Sequence, residues 1–242
     1  MPPPPSPSVR APIMIQHWRL LTFAHWRYPA AVVQALLPEG LRVETFDGSA
    51  WIGLVPFLMR GVRVPATPPV PWLSEFPETN VRTYVRGRDG NTGIWFLSLD
   101  AARLPAVLAA RATYGLPYYW SAMAVRASGT RLCYRASRRF PGPAGTRCDA
   151  DVEVGREYRD HELGPLDHFL TARFRLYSTL AGRLVTAEAE HEPWPLHRAR
   201  LDDLREDLIE AAGLPVPDGP PLLHASPGVR VRVGGWHRVP AA

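Results

Sequence analysis

Lysine is missing altogether: all 28 basic residues of this 242-residue chain are arginine. No side-chain primary amine is available, so a lysine Schiff base is excluded. Cysteine is scarce as well. Cys133 and Cys148 make neither a disulfide framework nor a CxxC zinc pair, and both are expected to be free, inert thiols. No apolar run reaches the roughly eighteen residues of a membrane span, so no membrane partner is expected. GxSxG, P-loop and GxGxxG signatures are also absent, which weakens hydrolase, NTPase and Rossmann readings.

The formal charge of +5 is spread along the chain, with arginines and acids interleaved. Nucleic-acid binders concentrate positive charge on one element or stripe. The densest stretch here, Arg126 to Arg147, alternates with Ser, Gly and Pro and reads as a solvated hairpin, so no nucleic-acid partner is expected. The opening MPPPPSPSVR is proline-rich and lacks an apolar signal core. It reads as a disordered leader over residues 1–12, ahead of a single cytoplasmic domain over 13–242.

Four segments carry helix signals: Pro29–Leu37, Asp100–Thr113 with Asp100 as N-cap, Pro165–Leu176 and Leu201–Ala212. Ten others read as strands: Gln16–Ala24, Leu41–Phe46, Ala50–Met59, Asn80–Arg86, Gly93–Leu99, Tyr118–Arg126, Arg131–Ser137, Asp149–Gly155, Gly182–His191 and Val229–Trp236. Turns such as Asp47-Gly48, Asp89-Gly90 and Ser128-Gly129 favour antiparallel hairpins. The expected fold is α+β and β-dominated, with a curved or closed antiparallel sheet and about four flanking helices. The loop Pro65–Pro77 is long, rigid and aromatic-tipped, and suits a structural crossover or a lid beside a cavity.

The segment FPETNVRTYV is the most informative. A period of two puts Glu78, Asn80, Arg82 and Tyr84 on one face and Thr79, Val81, Thr83 and Val85 on the other. The polar face is either solvated or the wall of a hydrogen-bonding cavity, for which a carboxylate, an amide, a guanidinium and a phenol are well suited. At ~3.3 Å per residue, Glu78 and Arg82 lie ~13 Å apart along the strand and could hold opposite ends of a small ligand. No metal site is expected. His17 and His25 would lie ~26 Å apart on an extended strand, and Glu188 and Glu190 point away from the Ala187–Ala189–His191 face. His161 and His168 match no metalloprotease spacing.

Several stretches, among them HWRYPAAVVQALLPEGLRVETFDGSAWIGLVPF, FPETNVRTYVRG, GIWFLSLDA, YGLPYY, FRLYS and AEHEPWPL, resemble the YqjF-like family (domain of unknown function 2071). That family in turn resembles the acetoacetate decarboxylase superfamily. The resemblance implies a closed, cone-shaped antiparallel β-barrel with flanking helices around an internal cavity, and no cofactor. Decarboxylases of that superfamily use a lysine in a Pro-Lys-Lys stretch after a helix. The corresponding stretch here is Pro117-Tyr118-Tyr119, so the nucleophile position is Tyr118 and no imine can form there. The cavity glutamate corresponds to Glu78 and the substrate-binding arginine to Arg19, while a second carboxylate corresponds to Gly53.

The resemblance thus implies Arg19 as anchor, Glu78 as acid or base and Tyr118 as oxyanion support, while the shared strand face adds Asn80, Arg82 and Tyr84, and the stretch after the helix adds Tyr119, as ligand-binding residues. Tyr118 and Tyr119 have a plainer reading as bulk filling the vacated space. Two functions fit. One is a lysine-independent lyase, isomerase, dehydratase or cyclase acting on a small keto or carboxylic compound. The other is a non-catalytic domain binding the same class of molecule.

Overall fold

The computed structural model describes residues 6–240. In chain order its strands are β1 (Met14–Pro29), β2 (Leu41–Val43), β3 (Ser49–Arg63), β4 (Phe76–Gly87), β5 (Thr92–Ala101), β6 (Tyr118–Ser128), β7 (Arg131–Phe140), β8 (Arg147–Glu157), β9 (Arg175–Leu180), β10 (Arg183–His191), β11 (His197–Glu206), β12 (Leu222–Val233) and β13 (His237–Arg238). The α-helices are α1 (Ala30–Gln34), α2 (Leu104–Tyr114), α3 (Pro165–Thr171) and α4 (Leu208–Ala211). The protein is therefore strand-dominated, as its alternating patterns and glycine turns require.

All the strands join one sheet that branches twice. β5 pairs with β4, β6 and β9, and β12 pairs with β1, β10 and β11. Two closed rings result, and they share the wall β12–β1–β3–β4–β5. One ring closes through β9 and β10, the other through β6, β7, β8 and β11. A strand in the shared wall is buried on both faces. The outer side of this wall packs Trp26, Ile52, Leu54 and Val81 against Ala136 and Cys148.

This explains why β4 has almost no exposed residue. Its Thr79–Val81–Thr83–Val85 face is buried, with Val81 meeting that second core. The alternative of a solvated polar face fails because both sides of β4 are covered.

Three predicted helices are corrected. Asp100 lies in β5 and not at a helix N-cap, and α2 starts at Leu104. Leu201–Ala212 is mostly strand β11, with only Leu208–Ala211 helical. A register shift between Leu201 and Asp203 inserts an extra residue, so Leu201 and Leu204 both pack into the cluster of Leu132, Tyr134 and Val152. A bulged strand thereby mimics i, i+3 helical spacing. The Pro165–Leu176 helix likewise ends at Thr171, and its last residues enter β9.

Residues 1–5 of the expected leader lie outside the described residues. Packing begins well before residue 13. Val9 is buried and donates its backbone N–H to Glu190 Oε2 at 2.7 Å, and Ser6 Oγ accepts from the His191 N–H at 3.2 Å. The 64–75 loop is fixed at its tip: Arg103 donates Nε–H to the Trp72 carbonyl at 2.8 Å and stacks on the indole at 4.8 Å. Among the described residues no helix is long and apolar enough to cross a membrane.

Candidate active site

The ring that closes through β9 and β10 contains a cavity of about 420 Å³. Its polar wall is β4. Glu78, Asn80 and Arg82 all line it, as their shared parity predicts. Tyr118, the first residue of β6, reaches the same wall because β6 runs parallel to β5 with Leu99 beside Tyr118. Its hydroxyl donates to Glu78 Oε2 at 3.0 Å. α2 covers one side with Ala106, Ala109, Ala110 and Thr113, residues at i, i+3, i+4 and i+7 that share one helix face. Ala109 and Thr113 are also exposed, so the cavity reaches solvent along this helix. Trp18, Phe57, Met59 and Trp194 line it too.

Burial sets the chemistry of the acid. Glu78 is 2% exposed, and desolvation pushes its pKa up to about 8. The Tyr118 hydrogen bond opposes that rise, while the field of Asp100 adds to it. Tyr118 itself is held well above the normal phenol range, by burial first and then by the charge of Glu78. Glu78 is therefore mostly a neutral acid at neutral pH, hydrogen-bonded to a neutral phenol.

Arg82 is the unusual group. It is 5% exposed, and its Nη2 donates to the Leu170 carbonyl at 3.2 Å and to Tyr84 Oη at 3.4 Å. Nε is buried without a partner. The two other cavity arginines are neutralised, Arg173 by Glu44 and Arg175 by Glu188. Among the described residues no carboxylate lies within ion-pair distance of Arg82. Other groups on the cavity wall are also unsatisfied: Asn80 Oδ1 and Trp18 Nε1 are buried with no partner.

A histidine flanks Arg82 on the same face of the sheet. The Tyr84 hydroxyl gives its proton to the Leu170 carbonyl at 2.8 Å. His25 Nε2, 2.6 Å from Tyr84 Oη, must then be the donor, which assigns the neutral Nε2–H tautomer. Burial, then the charges of Arg82 and His224, hold the pKa of His25 well below its ordinary value. Gly53 lies opposite both His25 and Arg82. A Cβ at Gly53 would sit 3.0 Å from His25 Nε2 and 3.4 Å from Arg82 Cγ. The imidazole thus occupies the space that a side chain at position 53 would need. Gly53→Ala is expected to lower stability by about 1–3 kcal/mol through this crowding, read as a shift of the urea midpoint.

Three of the expected site residues lie elsewhere. Arg19 is exposed and does not line the cavity. β1 breaks register after Arg19, where Leu20 takes a left-handed φ of 52°. Trp18 and Leu21 therefore both face inward while Arg19 points away. Gly228, paired with Arg19, permits this close approach, since a Cβ there would fall 1.8 Å from the Trp18 carbonyl oxygen. Tyr119 alternates away from Tyr118 and stacks under Arg138 at 3.6 Å. Tyr84 shares the face of Arg82 but lies one step further along β4, bonded to the Leu170 carbonyl in the His25–Arg82 network, and does not line the cavity. Sequence periodicity did not reveal Arg173, Arg175, Trp18 or Trp194 as cavity residues, because their strands and loops meet there only on ring closure.

The acidic cluster near residue 190 is dispersed. Glu188 pairs with Arg175, Glu190 with Arg232, and His191 packs between Phe174 and Trp194. Among the described residues no group of three or more His, Cys, Asp or Glu side chains is placed to hold a metal.

The architecture is that of the acetoacetate decarboxylase-like fold. The enduracididine biosynthesis enzyme MppR, in a complex with pyruvate, matches with a TM-score of 0.67 at 15% identity, covering 94% of this chain and 91% of that one. An acetoacetate decarboxylase-like enzyme from Sphingomonas wittichii RW1 matches with a TM-score of 0.66 at 14% identity, covering 96% and 95%. Acetoacetate decarboxylase from Legionella pneumophila gives 0.66 at 12% identity over 99% and 92%. Within that fold the chain belongs to the DUF2071 family of uncharacterized conserved proteins, whose model matches residues 15–230. It is 35% identical over 218 residues to the protein YqjF of Bacillus subtilis, covering 88% of this chain and 86% of that protein.

Proposed function

We propose that the protein binds a small keto or carboxylic acid in the β4-walled cavity and moves a proton at the carbon beside the carbonyl, with no Schiff base. The observation that carries this reading is Arg82, a buried guanidinium on the cavity wall with no carboxylate partner. An unpaired buried cation is costly, and a ligand carboxylate would relieve that cost with charge-assisted hydrogen bonds. Glu78 is neutral in most molecules at neutral pH, and the other two arginines are paired, so the empty cavity carries a net positive charge. MppR, which shares the fold, is described with pyruvate bound, and that agrees with a keto acid as the occupant.

The anchoring role passes from Arg19 to Arg82. Glu78, with a pKa of about 8, can act near neutral pH in either direction. Its acid form delivers a proton to an enolate carbon, and its conjugate base removes one from the carbon adjacent to a carbonyl. Tyr118 stands beside that acid and can turn its hydroxyl to the developing enolate oxygen. Without a lysine amine there is no side-chain electron sink for imine-based decarboxylation. Enolisation, and an isomerisation or dehydration built on it, needs only these groups.

The test is deuterium incorporation from D₂O at C3 of a 2-oxo acid, followed by NMR. The wild-type protein is expected to accelerate exchange, and Glu78→Gln to slow it about 100-fold, the lower end of what a positioned acid or base supplies. Wild-type protein that binds the acid yet leaves exchange at the buffer rate would overturn the catalytic reading and leave a receptor.

A further inference from the structure

Resting on the carboxylate-binding role given above to Arg82, we infer that the natural ligand is an amphipathic acid: a carboxylate head joined to an apolar body of about six to nine carbons, aliphatic or aromatic. Size comes first. A space of about 420 Å³ holds roughly fourteen non-hydrogen atoms at ~30 Å³ for each water-sized group. The head of a 2-oxo acid uses five of these, and the remainder must be filled by something else.

The lining says what that something is. Glu78, Asn80 and Arg82 from β4, with Tyr118 beside them, form one polar wall. Of the other polar lining groups, Arg173 and Arg175 are paired with Glu44 and Glu188, the Thr113 hydroxyl donates to the Ala109 carbonyl, and Gln16 lies on β1. Away from that wall the cavity meets Trp18, Met59 and Val62, and the indole of Trp194, which stacks on Trp18 at 5.9 Å between ring centres. The side formed by α2 presents Ala106 and Ala110, methyl groups one turn apart that leave room and offer no hydrogen bond. A three-carbon acid seated on Arg82 would leave this apolar volume without a partner, forfeiting its contacts. An apolar extension fills the volume and is driven into it by its own desolvation.

Calorimetric titration of the wild-type protein with 2-oxo acids from pyruvate to 2-oxotetradecanoate, and with 1-alkanols of matched length, tests this. Affinity of the acids is expected to rise about fourfold per added methylene and then to turn down near the length that fills the cavity. Ala110→Phe is expected to move that optimum to shorter acids. Pyruvate binding as tightly as 2-oxooctanoate overturns the inference, as does an Ala110→Phe variant with an unchanged optimum. Acids and alkanols of equal affinity, both rising with length, would leave the apolar body standing and overturn the role of Arg82. Acids that outbind alkanols with no dependence on length would do the reverse. Failure of both series to bind would overturn both.

Discussion

Asp100→Ala is expected to cost about 3–5 kcal/mol of folding stability, the usual penalty for stripping one partner from a buried ion pair. Asp100 and Arg138 are each 1% exposed in their side chains. They meet in a two-pronged geometry, Arg138 Nε to Asp100 Oδ1 at 3.0 Å and Nη2 to Oδ2 at 2.7 Å. Ser121 donates to the same Oδ1 at 2.6 Å. With alanine at 100, the Arg138 guanidinium remains buried beneath Tyr119 with no counter-ion. Urea unfolding should show the loss directly. A paired replacement, Asp100→Leu with Arg138→Met, is expected to recover most of it, because two apolar groups need no desolvated partner. A single variant within 1 kcal/mol of the wild type would show that the pair does not hold β5 to β7. The pair also bears on the site. It ties β5 and β6, through Ser121, to β7, and β6 carries Tyr118 to the cavity wall.

The second large effect is a pH dependence. The Glu78 carboxyl has a folded pKa of about 8 against an ordinary value of 4.5. Between these values the folded protein holds a proton that the unfolded chain has released. Stability due to this group is therefore fully present below pH 4.5 and is lost as pH rises through about 8. The slope approaches 1.4 kcal/mol per pH unit as an upper limit, giving a loss of several kcal/mol across the window. Glu78→Gln keeps an acceptor for the Tyr118 hydroxyl but cannot ionise. The difference between variant and wild-type stability is thus expected to grow steadily from pH 5 to pH 8 in favour of glutamine. Taking the difference cancels the many exposed carboxylates, which behave alike in both proteins. Parallel stability curves would mean that Glu78 ionises normally and is not the proton carrier proposed for it.

Much of this was legible in the residues. Alternation in FPETNVRTYV put Glu78, Asn80 and Arg82 together, and they do line one cavity, because strict period-two geometry survives along β4. The same logic failed where a strand is bulged. In β1 the irregularity at Leu20 lets Trp18 and Leu21 share a face and leaves Arg19 pointing away, so the Arg19 role implied by the family resemblance does not hold. In β11 the extra residue near Asp202 gave leucines a helical spacing. Tyr119 was misjudged for a simpler reason: adjacent strand residues face opposite sides, and only one of a Tyr-Tyr pair can enter the cavity. What no local pattern carries is ring closure. Trp194 and Arg175 become neighbours of β4 residues only when β9 and β10 complete the ring.

The shared wall has a kinetic consequence. Met14 at the start of β1 pairs with Val233 at the end of β12, so the central seam joins opposite ends of the described chain. Closing so long a loop is entropically expensive and comes late in folding. During synthesis β1 must wait, one edge unpaired, until β12 has left the ribosome, and in that interval its apolar face is open to misassociation. A permutant that begins at the Gly129 turn and links the old termini would bring β12 and β1 out together, and it should refold faster than the parent chain.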